Sequence, residues 1–306
     1  MSGLRKAHAR WWLTRILFAC IAGAGLAPAA RPDTQADTHP AAMLRARYAA
    51  MGVQSGHSQF KRPLYLDSVE SSGELKGDIF ALVDYPFADV STALNSPAHW
   101  CDVMILHINT KYCRASTDNG RTMLTVSIGK KTDQPVDEAY RVDFAYRVAA
   151  ATPDYLAVRL NAEKGPLATS NYVILLEGAP AEGGRTILHL TYSYDYGFAG
   201  GLAMQAYLAT AGRGKVGFTI IGKQPDGRPD FIGGVRGVVE RNTMRYFLAI
   251  DAYLGALAVP LPEQLGKRLQ SWYTFTEEFT RQLHDADRTA YLDMKRREVR
   301  RQQTVP

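Results

Sequence analysis

The stretch Gly233–Leu257, GGVRGVVERNTMRYFLAIDAYLGAL, constrains this chain more than any other. Val235, Val239, Tyr246, Ile250, Tyr253, Leu254 and Leu257 recur at i, i+3 and i+4 spacing, the pattern of one long helix with a broad apolar stripe. Arg241 and Arg245 fall on the opposite side. At about 100° per residue, Arg236, Glu240 and Thr243 land on the shoulder of the stripe, at its N-terminal end. One end of the core-facing surface is therefore polar and the other apolar. The strands that precede this helix are expected to curl around it, with the functional gap between strands and helix.

Those strands are legible as a series. Lys76–Tyr85 reads as a strand ended by Pro86, Asp89–Leu94 as a short helix, and Ser96–Trp100 as the start of another. Val103–Arg114 and Thr122–Gly129 read as strands flanking Ser116-Thr-Asp-Asn-Gly120, a hairpin signal. Tyr140–Val148 and Tyr155–Ala162 alternate apolar and polar residues, and Asn171–Glu177 and Thr186–Tyr196 continue the pattern. Together they predict an antiparallel meander with one buried face per strand. A helix at Gly200–Ala211, a last strand at Val216–Gly222 and a turn at Pro225-Asp-Gly227 lead into the long helix. Two helices close the chain. The first is striped by Leu265, Leu269, Trp272, Phe279 and Leu283; the second, Asp287–Gln302, is mostly charged.

The N-terminal end is different in kind. Arg5, Lys6, Arg10 and Arg15 flank or precede the apolar run Ile16–Leu26, and Ala27-Pro28-Ala29 is an A-x-A site, so residues 1–29 read as a secretory signal. The run is too short and glycine-rich to span about 30 Å of hydrocarbon comfortably. Leu17-Phe-Ala-Cys20 loosely resembles a lipobox, but the bulky Phe18 and the short run before Cys20 argue against a lipoprotein. Export to the periplasm, soluble after cleavage, is the expectation. Without the signal, the net charge of +6 becomes +2, from 32 basic and 30 acidic residues. That gives no case for nucleic acid, which needs a concentrated basic face. The one basic cluster, Lys295, Arg296, Arg297, Arg300 and Arg301, reads as a solvated helix face. Arg31–His57 reads as a linker, partly disordered, with a short helix at Ala41–Met51, and order is expected from near Phe60.

The order strand, two short helices, meander, long helix resembles the START and polyketide-cyclase-like (SRPBCC) helix-grip superfamily. The likeness is carried by Gly77–Trp100, similar to the family's opening strand and V-shaped helix pair ending in a Trp, by the meander, and by Gly233–Leu257 as the gripping helix. It implies an α+β fold, a curved antiparallel sheet wrapped around the long helix, which here carries two additional C-terminal helices. It also implies a hydrophobic ligand held between sheet and helix; a minority of the family are cyclases or hydrolases. The helix Gly200–Ala211 and the C-terminal helices depart from that pattern. The expected division is 1–29 signal peptide, 30–60 linker, 61–257 ligand-binding domain and 258–306 C-terminal helical extension.

Cys101 and Cys113 are an even pair in an exported chain and read as a disulfide. Along Thr186–Tyr196, Leu190, Tyr192, Tyr194 and Tyr196 share one face, and His189, Thr191, Ser193 and Asp195 the other. With the tyrosines facing in, an amphipathic ligand gains aromatic walls with hydroxyl handles. With the polar face in, His189 and Asp195 become acid–base candidates, though about 20 Å apart along a strand. His107 reads as a structural strand histidine, and Gly212-Arg-Gly-Lys-Val-Gly217 as a turn without phosphate-loop spacing. No metal spacing and no catalytic signature appears, and no cofactor is called for. The reading is a carrier or binder of an amphipathic, lipid-like molecule, with Arg236, Glu240, Thr243, Tyr246, Ile250, Tyr253, Tyr192 and Tyr194 lining the site. Peripheral membrane contact is compatible with such a role. The alternatives are a cavity enzyme using Glu240 or Asp195, with Arg236 orienting substrate, and an interaction module built on the C-terminal helices.

Overall fold

The computed structural model of the chain describes residues 39–52, 59–60, 62–210 and 212–304. They fall within one compact unit, Asp37–Pro306. The signal-like segment and the start of the linker lie outside the described residues.

The frame of this unit is an eight-stranded antiparallel sheet in the order β1-β2-β8-β7-β6-β5-β4-β3. The strands are β1 (Leu64–Ser71), β2 (Glu74–Val83), β3 (Thr110–Asp118), β4 (Arg121–Ile128), β5 (Tyr140–Thr152), β6 (Tyr155–Lys164), β7 (Thr169–Ala181) and β8 (Arg185–Tyr196). Irregularities in register at Thr110/Tyr112, Val148/Ala150 and Ser170/Val173 are the bulges that let such a sheet curve. The opening hairpin β1–β2 lies beside the last strand, β8. Strand β1 is hard to see in the sequence because few of its inward positions are apolar, Leu64 and Leu66 being followed by Ser68. Its turn, Ser72–Gly73, has positive φ at both residues, as a tight hairpin turn requires.

Between β2 and β3 run α2 (Phe87–Leu94) and α3 (Pro97–Met104). The expected strand Val103–Arg114 is therefore corrected. Val103 and Met104 finish α3, residues 105–109 form a loop, and only from Thr110 is there a strand. Val103–Ile108 is apolar but for His107 and buried throughout, and a continuous run of that kind has no period to distinguish strand from helix. His107 sits in that loop and not in a strand.

The helix α5 (Gly234–Gly255) is the expected gripping helix. One face packs on β1, β2 and β8, and α6 (Leu261–Glu277) lies on another. It is buried nearly all round, including Arg241 and Arg245 on its supposed outer side. The C-terminal helices are thus integral to the fold. After α6 come α7 (Thr280–Leu283) and α8 (Arg288–Thr304). The mostly charged α8 is not simply a solvated face. Lys295 and Glu298 are buried on it, beside Tyr291, Met294 and Val299. Glu298 pairs with Lys295 at 2.7 Å and with the equally buried Lys111 of β3 at 3.0 Å. Arg296, Arg297 and Arg300 do face solvent, so the basic cluster is split between the two environments.

Two further elements differ from expectation. The helix α1 (Pro40–Ala50) is no loose linker segment. Ala41, Leu44 and Tyr48 bury one face against Phe80, Tyr155, Ala157, Ala179 and Ile187 on the outer side of the sheet. The expected last strand Val216–Gly222 does not join the main sheet. Only β9 (Ile220–Lys223) is a strand, paired with β10 (Pro229–Phe231) in a separate hairpin. The backbone just before it is captured by the Glu240 side chain of α5. The helix α4 (Phe198–Ala209) lies where the sequence placed it, before that hairpin.

Candidate functional site

The inner face of the sheet presents Phe144 and Tyr146 from β5, Val158 and Leu160 from β6, Tyr172 and Ile174 from β7, and Leu190, Tyr192 and Tyr194 from β8 to the core under α5. The pleat alternates sides, so the tyrosine face of β8 turns in and the polar face turns out. Tyr192 reaches Tyr246 of α5 with ring centroids 5.3 Å apart and Tyr194 at 5.6 Å. Tyr172, which was not among the expected site residues, stacks on Tyr194 at 5.1 Å and lies 6.1 Å from Tyr192. Its signal in the sequence is the alternation Tyr172, Ile174, Leu176 in an apolar strand. His107 comes within 5.0 Å of the Tyr246 ring.

This aromatic group is electrically neutral near pH 7. Burial raises the hydroxyls of Tyr192, Tyr194 and Tyr246 far above their ordinary range and pushes Tyr172 up to about 12. Burial, reinforced by the charges of Arg245 and Lys295, lowers His107 well below its usual value. Its Nδ1 accepts the Asn109 N–H at 3.2 Å, so the neutral ring carries its proton on Nε2. That Nε2–H is buried without a partner among the described residues, as is the Tyr146 hydroxyl. A buried polar atom left so costs about 1–3 kcal/mol.

The other expected ligand residues separate from this group. Ile250 is buried farther along α5. Tyr253 turns away, 5.8 Å from His99 and covered by the Arg268 guanidinium at 4.3 Å. At the N-terminal end, Glu240 accepts from the Ser68 hydroxyl at 2.6 Å, the Phe218 N–H at 2.5 Å, the Thr219 N–H at 2.9 Å and the Thr219 hydroxyl at 2.6 Å. Those four bonds fill the acceptor positions of the carboxylate. They also explain why residues 218–219 do not pair in the sheet. Arg236 donates to the Ser68 hydroxyl at 3.1 Å and the Ser68 carbonyl at 2.6 Å. Thr243 donates to the Val239 carbonyl at 2.8 Å and sits against Gly77 of β2, where a methyl group would collide with its hydroxyl. The polar shoulder therefore fastens α5 to β1, β2 and residues 218–219, in place of the ligand contacts expected of Glu240 and Thr243.

Arg241 and Arg245 have structural partners as well. Arg241 donates to the Val216 carbonyl at 3.2 Å. Arg245 pairs with Asp285 at 2.6 Å, and Asp285 also meets Lys131 at 2.5 Å and Lys215 at 3.5 Å. Burial would raise the Asp285 carboxyl, but the charges of Arg245, Lys131 and Lys215 outweigh it and hold it at about 2. Lys215 is thus tied to the C-terminal segment and is no free basic gate.

On the outer side of the sheet, His189 is held between Glu177 at 2.6 Å and Asp78 at 2.8 Å. Burial alone would lower His189, but hydrogen bonds and charges from both carboxylates raise it. Asp195 lies near the end of the same strand and accepts from Asn171 at 2.6 Å. The two residues are separate, as their spacing requires. Cys101 of α3 and Cys113 of β3 are disulfide-bonded. A surface groove of about 390 Å3 opens away from the tyrosines, between the β9–β10 hairpin, residues 59–60 and α7; Phe60, Phe218, Phe231 and Phe279 line it.

A long helix held against a curved antiparallel sheet, with two short helices between the second and third strands, is the α+β helix-grip arrangement expected from the sequence. No family model matches the chain, and no curated protein sequence does. Among solved structures it is similar to norcoclaurine synthase from Thalictrum flavum, at 12% identity over 49% of this chain and 80% of that one, TM-score 0.32. Human StAR-related lipid transfer protein 5 matches at 10% identity over 78% of this chain and 97% of that one, TM-score 0.31. The di-domain ARO/CYC StfQ from the steffimycin biosynthetic pathway matches at 11% identity over 68% and 52%, TM-score 0.32. The fold assignment rests on the order and pairing of strands and helices.

Proposed function

We propose that this protein binds an amphipathic, lipid-like molecule between the sheet and α5, at the tyrosine group. The observation that carries the reading is chemical. In an otherwise apolar wall, neutral hydroxyls cluster beside a buried polar group, His107 Nε2–H, that lacks a partner among the described residues, and the core also holds an unpartnered Tyr146 hydroxyl. Such a lining suits a ligand with apolar bulk and one or two oxygen functions. Because Glu240 is occupied, the polar recognition is neutral, made by Tyr192, Tyr194, Tyr246 and His107. Access is at α4, which packs on β8 and on residues 166–168 at the tyrosine end of the sheet. Arg236, fastened to Ser68, contributes through the position of α5. Export of the chain belongs to the same proposal and rests on the signal-like N-terminus. N-terminal sequencing of the mature protein is expected to start near Ala30.

Fluorescence titration with a dansylated fatty alcohol and the matching dansylated fatty acid tests the site. Enhanced, blue-shifted emission is expected for both, the alcohol binding at least as tightly as the acid. Tyr246→Phe and Tyr192→Phe each remove one hydroxyl and are expected to weaken the alcohol roughly fivefold, the equivalent of about 1 kcal/mol. Absence of uptake of either probe contradicts the proposal, as does unchanged affinity in both variants.

A further inference from the structure

The geometry points to α4 as a membrane-docking element that lays its free face into the acyl region of a lipid bilayer. The sequence from Tyr196 to Gly212 contains no charged residue. Helix α4 is uncharged and apolar but for Gln205 and Tyr207, and a helix so apolar is ordinarily buried on most sides. Helix α4 is covered on one side only: Gly200 and Met204 are buried, and Leu208 packs against the core. Its other side bears Phe198, 87% exposed, and Leu202, 53% exposed, with the uncharged, exposed Gln205 on the same side. Beside it, residues 166–168 present Leu167, 54% exposed and held with a left-handed backbone, φ 58°. Gly200 marks the contact, since a methyl group there would press on the carbonyls of Leu167 and Ala168. Leu167 and α4 therefore share one end of the molecule.

The size and chemistry of this patch select the occupant. The three side chains expose roughly 400 Å2 together, about the largest apolar patch of an ordinary monomer. A stable protein dimer needs about 800 Å2 from each partner, together with polar groups at the rim. Phe198 and Leu202 on α4 offer less than half that area, and the helix carries no charge. An acyl layer asks for neither shape complementarity nor hydrogen bonds, and an aromatic residue at the edge of an apolar surface is the composition it accepts. The docking surface does not depend on what the tyrosine group binds, and either reading can fail alone.

Hydrogen-exchange mass spectrometry of the full chain, with and without phosphatidylcholine vesicles, tests this segment by segment. Vesicles are expected to slow exchange in residues 196–210 at least tenfold. The effect should be little changed by salt, and it should be lost in Phe198→Asp/Leu202→Asp. Leu261→Asp changes a leucine more exposed than Leu202, 78% accessible, and is expected to leave it intact. The inference is overturned if vesicles leave exchange in 196–210 unchanged, or if Leu261→Asp removes the protection as completely as the α4 variant. It is also overturned if rising protein concentration alone protects the segment, which would make the occupant a second copy. Both substituted positions are solvent-facing, so the variants are expected to keep the wild-type circular dichroism, which excludes misfolding as the cause.

Discussion

The four hydrogen bonds to Glu240 tie two distant parts of the chain to α5: Ser68 of β1, and residues 218–219 through both backbone amides and the Thr219 hydroxyl. Gly217 belongs to the same arrangement, since a methyl group there would meet the Glu240 carboxylate and the backbone of Gly237. Glu240→Gln places an amide NH2 where an N–H or a hydroxyl now donates, leaving a buried donor facing a donor. The expected loss is about 2–3 kcal/mol of folding stability, read as a lower urea midpoint. An unchanged midpoint would mean that Glu240 does not carry this joint. From the sequence, Arg236 and Glu240 stand four apart and suggest a local pair. Their partners in space are some 20 to 170 positions away, and no spacing rule reaches them. The tyrosines of β8 are legible for the opposite reason, because strand alternation is local and fixes which face each side chain takes.

At the scale of elements, α8 shows how a charged sequence can be a buried one. Lys295 donates to the carbonyls of His107 and Thr110, Lys111 donates to the Ile108 carbonyl, and Glu298 stands between the two ammonium groups. Burial lowers Lys295 to about 8, against the charge of Glu298, which works to raise it. Glu298→Ala leaves two buried cations without an anion, which typically costs 3–5 kcal/mol, about that much being expected here. Exchange protection of α8 should collapse before that of the sheet, and α8 exchanging with the sheet, as in the wild type, would contradict this role for Glu298. The position of α8 is readable because period and stripe are local, but the stripe Leu265, Leu269, Trp272, Phe279 and Leu283, expected on one helix, is broken at residues 278–279 into α6 and α7. Burial is not readable, because it depends on Lys111 in β3 offering a complementary charge. The same limit hides α1 from view as part of the fold. Its stripe is only Ala41, Leu44 and Tyr48, and it counts as a face only when the outer side of β6–β8 is there to receive it.

For the molecule as a whole, the curved sheet, the buried α5 and the helices behind it make one packed frame. From β2 onward the order of strands and helices is legible, since most strands carry their own alternation and most turns a Gly, Asn or Pro-Asp. The separate β9–β10 hairpin is not, since the Phe218 and Thr219 amides are claimed by Glu240 and not by a neighbouring strand. Helix α4 packs on β8 and on residues 166–168 and leaves its other side uncovered. On the reading proposed above, this frame holds an amphipathic molecule at Tyr172, Tyr192, Tyr194 and Tyr246. Native mass spectrometry of the protein isolated from its own host tests that claim most directly. The expected result is a species heavier than the polypeptide by one small, oxygen-bearing apolar molecule, released by organic extraction. A single species at the bare polypeptide mass, from protein never exposed to detergent or solvent, would contradict it.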